Sequence, residues 1–148
     1  MTFAAKVDKK TKFGMLKVFD AFGEVYECAC LGRADAGAAK LKGNPSADPL
    51  KIYGDTPEGT YRVTRGGVLT PLRSYGPSAV LILTPTAGPA LEAAKVRSGL
   101  LIHGGALTVA GILRVTHGCL RVMDTDQYRL VTLVRGTTEP VSLTVEYV

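Results

Sequence analysis

Apolar and polar residues alternate along much of this chain, the period of a strand half-buried against a core. FGMLKVFD at 13–20 and VYECACLG at 25–32 both alternate and are joined by AFGE, which predicts a β-hairpin opening the fold. Pro57, Glu58 and Gly59 make a turn before TYRVT at 60–64, a short alternating strand. SAVLILTP at 78–85 and SGLLIHGG at 98–105 read as buried strands, the second stopped by a glycine pair. RVTHGCLRV at 114–122 is short, β-rich and broken by Gly118, and PVSLTVEYV at 140–148 is an alternating strand expected to close a sheet.

Helical signals are fewer. ALEAAKV at 90–96 supports a turn or two of helix, stopped by Gly99. DTDQYRLVTLV at 124–134 carries a helix start, with Asp124 as N-cap, Gln127 at the capping-box position, and Tyr128, Val131 and Val134 on one face. Between Arg33 and Asp55 no period is sustained, which predicts a long irregular connection of the kind that often carries function. The fold class is therefore mainly β with one or two short helices. A length of 148 residues suits a single domain over 1–148.

Composition sharpens this in a few places. With 46% hydrophobic and 21% charged residues the chain is too apolar to be disordered. The net charge of +5 is concentrated near the N-terminus in Lys6, Lys9, Lys10, Lys12 and Lys17, so residues 1–12 are expected to form a flexible basic arm rather than a nucleic-acid site. A mildly basic surface favours polyanions such as bacterial cell wall. No run approaches the roughly 18 apolar residues of a membrane span, and MTFAAKVDKKTK has no apolar core of a secretory signal.

Three cysteines cannot all pair within one chain; Cys28 and Cys30, two apart in a predicted strand, read as small core residues, which leaves Cys119 to be explained. Both histidines lie in the same segment, LLIHGGALTVAGILRVTHGCLRV at 100–122. A free thiol titrates near ~8.5, so a cysteine nucleophile needs a base or a positive field, and a histidine supplies the base. If the strands ending at His103 and beginning after Cys119 are neighbours, a Cys–His pair becomes available. Gly118 then allows a tight backbone turn whose amides can face an oxyanion, and the Gly104 carbonyl is the nearest acceptor for the imidazole's second proton. A zinc site built from His103, His117 and Cys119 is the rival chemistry, but no CxxC pair, HExxH helix or nearby carboxylate completes it.

IHGG followed sixteen positions after its histidine by the cysteine of THGCLRV resembles the signature of the L,D-transpeptidase catalytic domain, the YkuD family. TPEGTYRV at 56–63 is similar to a second element of that family, TP-x-G-x-[FY], so the resemblance spans essentially the whole chain. It implies a mixed β-sandwich and a cysteine that attacks the bond after the L-centre of meso-diaminopimelate in peptidoglycan stem peptides. The acyl group then passes to an amine or to water, by transpeptidation, carboxypeptidase cleavage or D-amino-acid exchange. By resemblance Cys119 is the nucleophile, His103 its base and Gly104 the orienting carbonyl. Thr116, His117 and Gly118 complete the motif, with the amides near Gly118 and Cys119 as oxyanion donors and His117 as an alternative base.

Arg121 matches an arginine common two residues after the cysteine, suited to a substrate carboxylate or to a second ion pair. Tyr61 either lines the site or packs in the core. No cofactor or metal is implied. Val122 stands where Met is frequent. The absence of a secretory signal suggests an antibacterial effector brought to a rival's periplasm by a secretion apparatus and held in check by an immunity protein. A non-catalytic module that binds stem peptides or a partner is the competing class.

Overall fold

The computed structural model describes residues 1–148 as eight strands and four short helices. In chain order these are β1 (Thr2–Val7), β2 (Phe13–Asp20), β3 (Gly23–Leu31), α1 (Ala36–Leu41), β4 (Gly59–Arg65), α2 (Leu72–Tyr75), β5 (Leu81–Ala87), α3 (Pro89–Ala93), β6 (Leu101–His103), β7 (Leu120–Arg121), α4 (Asp124–Arg135) and β8 (Val141–Tyr147). The strands hydrogen-bond in the order β1-β2-β3-β7-β6-β5-β4-β8, and β8 returns to β1, so the mixed sheet continues until it closes on itself. Only β1·β8 and β6·β7 pair in parallel.

The period-2 pattern explains most of this. In β4, Tyr61 and Val63 are buried while Arg62 and Thr64 face outward. In β8, Val141, Leu143 and Val145 are buried. Every strand contributes to one apolar cluster, represented by Phe3, Leu16, Cys30, Tyr61, Leu81, Ile102, Leu120 and Leu143. Cys28 and Cys30 are part of it, and burial pushes both thiols up to about 12, which keeps them inert.

The N-terminus departs from expectation. Residues 1–12 are not a flexible arm: β1 sits between β2 and β8 with Phe3, Ala5 and Val7 buried. The lysines concealed this alternation, because Lys6 falls on the outward face of β1 and Lys9, Lys10 and Lys12 belong to the following turn. That turn is itself organised by the Asp8 carboxylate, which accepts from the Lys10 and Thr11 amides.

The stretch from 33 to 55 is likewise more regular than its composition suggests. Asp35 caps α1 by accepting from the Ala38 amide. The buried Asn44 side chain then binds the Asp48 and Ile52 carbonyls and the Asp48 amide, folding 44–52 around itself. The helix expected from Asp124 forms as α4, but its cap is Met123 and no side chain caps it. Gln127 is buried, and its amide nitrogen donates to the carbonyls of Tyr75, Ser78 and Ala79, tying α4 to the segment after α2. The inward face of α4 is Gln127, Leu130 and Val131, whereas Tyr128 is exposed.

Candidate active site

The sixteen-residue spacing of the two motifs has a geometric cause. A parallel strand pair cannot be joined by a tight turn and needs a crossover of about a dozen residues or more. Strands β6 and β7 are such a pair, in register Ile102↔Leu120 and His103↔Arg121, and residues 104–119 are their crossover. Because successive side chains alternate between faces, Ile102 and Leu120 enter the core while His103 and Arg121 face the other way. They open, with Cys119, onto a cavity of about 830 Å³.

His103 is 3% exposed, and its Nδ1 lies 2.7 Å from the Gly104 carbonyl oxygen. A carbonyl only accepts, so Nδ1 carries the proton and Nε2 is left with its lone pair. Nε2 has no protein partner. Tyr75 from α2 packs edge-on against the imidazole at 5.3 Å between centroids. Burial holds the His103 pKa down at about 4, the Gly104 bond opposes this, and the Arg121 charge adds to it. The ring is therefore a neutral imidazole near pH 7.

The Gly104 carbonyl has a second donor, Arg121 Nη1 at 2.7 Å. At the other end of the same peptide unit, the Gly105 amide donates to Asp124 Oδ1 at 2.7 Å. Asp124 thus fixes the peptide that orients His103, instead of capping α4. Any Cβ on Gly104 would overlap the Asp124 carboxylate, so glycine is required by close approach.

Cys119 is partly exposed, and its thiol points to the Gly99 carbonyl at 3.6 Å, with no hydrogen bond to His103. Burial pushes its pKa up, while the Leu101 amide, Arg97 and Arg121 pull it partly back. The turn before it is tightly specified. Thr116 Oγ1 donates to the Cys119 carbonyl at 2.8 Å and accepts from the Gly118 amide at 3.0 Å. Thr56 Oγ1 donates to the Gly118 carbonyl at 2.6 Å, which joins the TPEG element to the THGC element. Gly118 has φ 112°, and a Cβ there would collide with Arg97 and the Gly54 carbonyl.

These contacts correct two expectations. The Gly118 amide is committed to Thr116, so it is not free for an oxyanion, whereas the amides of His117 and Cys119 donate to no protein acceptor. Tyr61 does not line the cavity. It is fully buried with its hydroxyl donating to the Pro57 carbonyl at 2.5 Å, because strand alternation turns it into the core.

The remaining motif residues fall near the cavity. His117 stacks on Tyr53 at 4.8 Å between centroids and lines the cavity wall, on a different strut from His103. No three His, Cys, Asp or Glu side chains converge as a metal site would need. Arg121 is buried, makes no ion pair and leaves its Nε without a partner.

Sequence reasoning missed Arg97, which follows α3 and is buried beneath the THGC turn. Its Nη1 donates to the carbonyls of Pro49 and Asp55, and its Nη2 to those of Gly54 and His117. One arginine after a short helix leaves no periodic signal. Tyr75, Lys95 and Arg114 were missed for the same reason; Lys95 and Arg114, with Arg97 and Arg121, give the cavity a cationic lining against one carboxylate, Asp35. No helix is long and apolar enough to cross a membrane.

No protein-family model matches the chain, and no curated protein matches it in sequence. Solved structures do. Bd1075 of Bdellovibrio bacteriovorus superposes with a TM-score of 0.60 at 16% identity, covering 96% of this chain and 46% of that one. The helical cell shape determining protein Pgp2 of Campylobacter jejuni gives 0.52 at 17% identity, over 98% of this chain and 47% of that one. L,D-transpeptidase 1 of Mycobacterium tuberculosis gives 0.50 at 13% identity, over 97% and 60%. The chain spans about half the length of the structures it matches. At these identities the likeness is one of fold, and the resemblance carried by IHGG, THGC and TPEGTY agrees with it: over almost its whole length this chain has the fold of an L,D-transpeptidase catalytic domain.

Proposed function

We propose that the protein is a cysteine-dependent acyltransferase acting on peptidoglycan stem peptides. The observation that carries this reading is the arrangement of His103: Nδ1 is tied to the Gly104 carbonyl, so the free Nε2 shares a cavity with the Cys119 thiol. In the mechanism, Nε2 takes the thiol proton as sulfur attacks the carbonyl carbon on the L-centre side of the scissile bond. The carbonyl electron pair moves to oxygen, where the unpartnered amides of His117 and Cys119 are the available donors. Collapse breaks the C–N bond, His103 returns the proton to the leaving amine, and a thioester remains on Cys119. An acceptor amine or water then repeats the sequence, with His103 again the base.

The resting state is a neutral thiol beside a neutral imidazole, because burial raises one pKa and lowers the other. Proton transfer therefore accompanies substrate entry, which displaces water and brings the thiol off the Gly99 carbonyl. The cationic lining supports a substrate with free carboxylates, as the diaminopimelate side chain and stem-peptide termini provide. Arg121 suits such a group through its unpartnered Nε, while its Nη1 holds Gly104.

The test is mass spectrometry of purified muropeptides incubated with wild type and with Cys119→Ala. A lost terminal D-Ala, an exchanged D-amino acid or a new cross-link, seen with wild type alone, supports the reading and identifies the acceptor. Muropeptides unchanged by both proteins favour the binding module instead.

A further inference from the structure

Arg97 is a cation buried without an anion. It is 9% exposed, and no carboxylate lies within 4.0 Å of it, the three ion pairs of the molecule being Lys17 with Glu24 and Glu27, and Lys95 with Glu92. Asp55 offers Arg97 its backbone carbonyl but turns its carboxylate to the Ala34 amide at 2.7 Å. A desolvated charge of this kind is costly unless something compensates it. Four backbone carbonyls, of Pro49, Gly54, Asp55 and His117, solvate the guanidinium but bring no net charge. Three belong to the 44–56 loop and the fourth to the turn that ends in Cys119.

We propose that Arg97 is the fixed countercharge of the Cys119 thiolate, and that its bonds to the 49–55 carbonyls and to His117 hold that charge beneath the turn. The inference rests on Cys119 being the nucleophile. As the thiol proton moves to His103 Nε2, the negative charge appears on sulfur at the end of a turn whose His117 carbonyl already holds the guanidinium, so the countercharge itself need not move. Arg97 keeps all its protons throughout, and both its Nη atoms are committed to backbone carbonyls, so among the cations of the cavity it acts on the thiol rather than on substrate and is a positioning residue. Gly118 makes this approach possible, since a side chain at that position would occupy the space of the guanidinium.

The charged and titratable groups around the pair are Arg121 from β7, His103 from β6, His117 on the turn, Asp55 on the loop, Tyr61 from β4 and Tyr147 from β8. Among these, Arg121 is the other fixed cation acting on the thiol, and it is held at Gly104 on the His103 side.

The experiment is the pH profile of Cys119 alkylation by iodoacetamide, followed by mass spectrometry, in wild type, Arg97→Met and Arg97→Lys. In Arg97→Met the midpoint moves up by about one unit, so alkylation near pH 8 slows about tenfold. Arg97→Lys keeps the charge without the four-carbonyl geometry and recovers most of the rate. Equal slowing in Met and Lys variants, or no slowing in Met, overturns the proposal. Should Arg97→Met not fold, Arg97→Gln decides, since it keeps amide donors for the carbonyls without the charge: its midpoint rises in the same way, and an unchanged midpoint overturns the proposal. Because alkylation needs no peptidoglycan, inert muropeptides with the expected alkylation pattern would refute the substrate reading while leaving Arg97's role standing.

Discussion

Strands β2 and β3 run eight and nine residues, whereas β6 and β7 run three and two. The long hairpin spends its backbone on its own ladder, residue against residue from Phe13↔Leu31 to Asp20↔Gly23 with one register shift. The short pair stops almost at once, and the groups just beyond it take up other work. The Gly104 carbonyl orients His103, the Gly105 amide binds Asp124, the Gly118 carbonyl binds Thr56, and the Cys119 amide is left free. A site can be assembled where a sheet is interrupted, provided other elements hold the loosened backbone. Here α4, α2 and the 44–56 loop do so.

This contrast is open to direct attack. The largest effect expected under the proposed acyltransferase reading is on activity: Cys119→Ala lowers acyl transfer by about 10⁴-fold or more, as removal of a nucleophile does elsewhere, while its urea unfolding midpoint stays near that of wild type. In the ladder region the consequence reverses. Leu143→Ala removes a fully buried side chain of β8 and costs about 3 kcal/mol in urea unfolding, with the activity of the folded fraction unchanged.

A smaller effect comes from His103. Its pKa is about 4 in the folded protein against about 6.5 when unfolded, so the unfolded chain gains a proton first as pH falls. Stability from this group is complete above pH 6.5 and declines between 6.5 and about 4. Wild type should lose about 2 kcal/mol more than His103→Asn between pH 7 and pH 5, measured by urea titration.

Tyr61→Phe should cost about 1 kcal/mol through the unpaired Pro57 carbonyl and leave kcat/KM unaltered, which separates core packing from substrate contact. Smallest of all is Asp124→Asn. The amide can still accept from Gly105, and the exposed carboxylate is well screened, so kcat should fall about twofold with KM constant.

The same contrast governs what could be read in the sequence. Long strands repeat their signal, and β2, β3, β4 and β8 were legible from alternation alone. IHGG and THGC were legible because they hold both histidines of the chain and Cys119, at a spacing set by a parallel crossover. β1 was hidden, since its alternating Phe3, Ala5 and Val7 lay among lysines that suggested fraying. Asp124 and Gln127 looked like a cap because local pattern cannot reveal that their partners are Gly105 and the carbonyls of Tyr75, Ser78 and Ala79. Arg97 had no pattern at all: its significance comes from four carbonyls separated from it by 20 to 48 residues.

Closure of the sheet by β8 between β1 and β4 has a consequence for biosynthesis. As the chain leaves the ribosome, β1 can pair with β2 early, yet its other edge must wait for the last seven-residue strand. Until then the nascent protein offers two unpaired strand edges, the usual template for intermolecular association. Closure pairs residues as far apart as Thr2 and Ser142, a contact of high sequence separation, so folding should be slow relative to local hairpin formation.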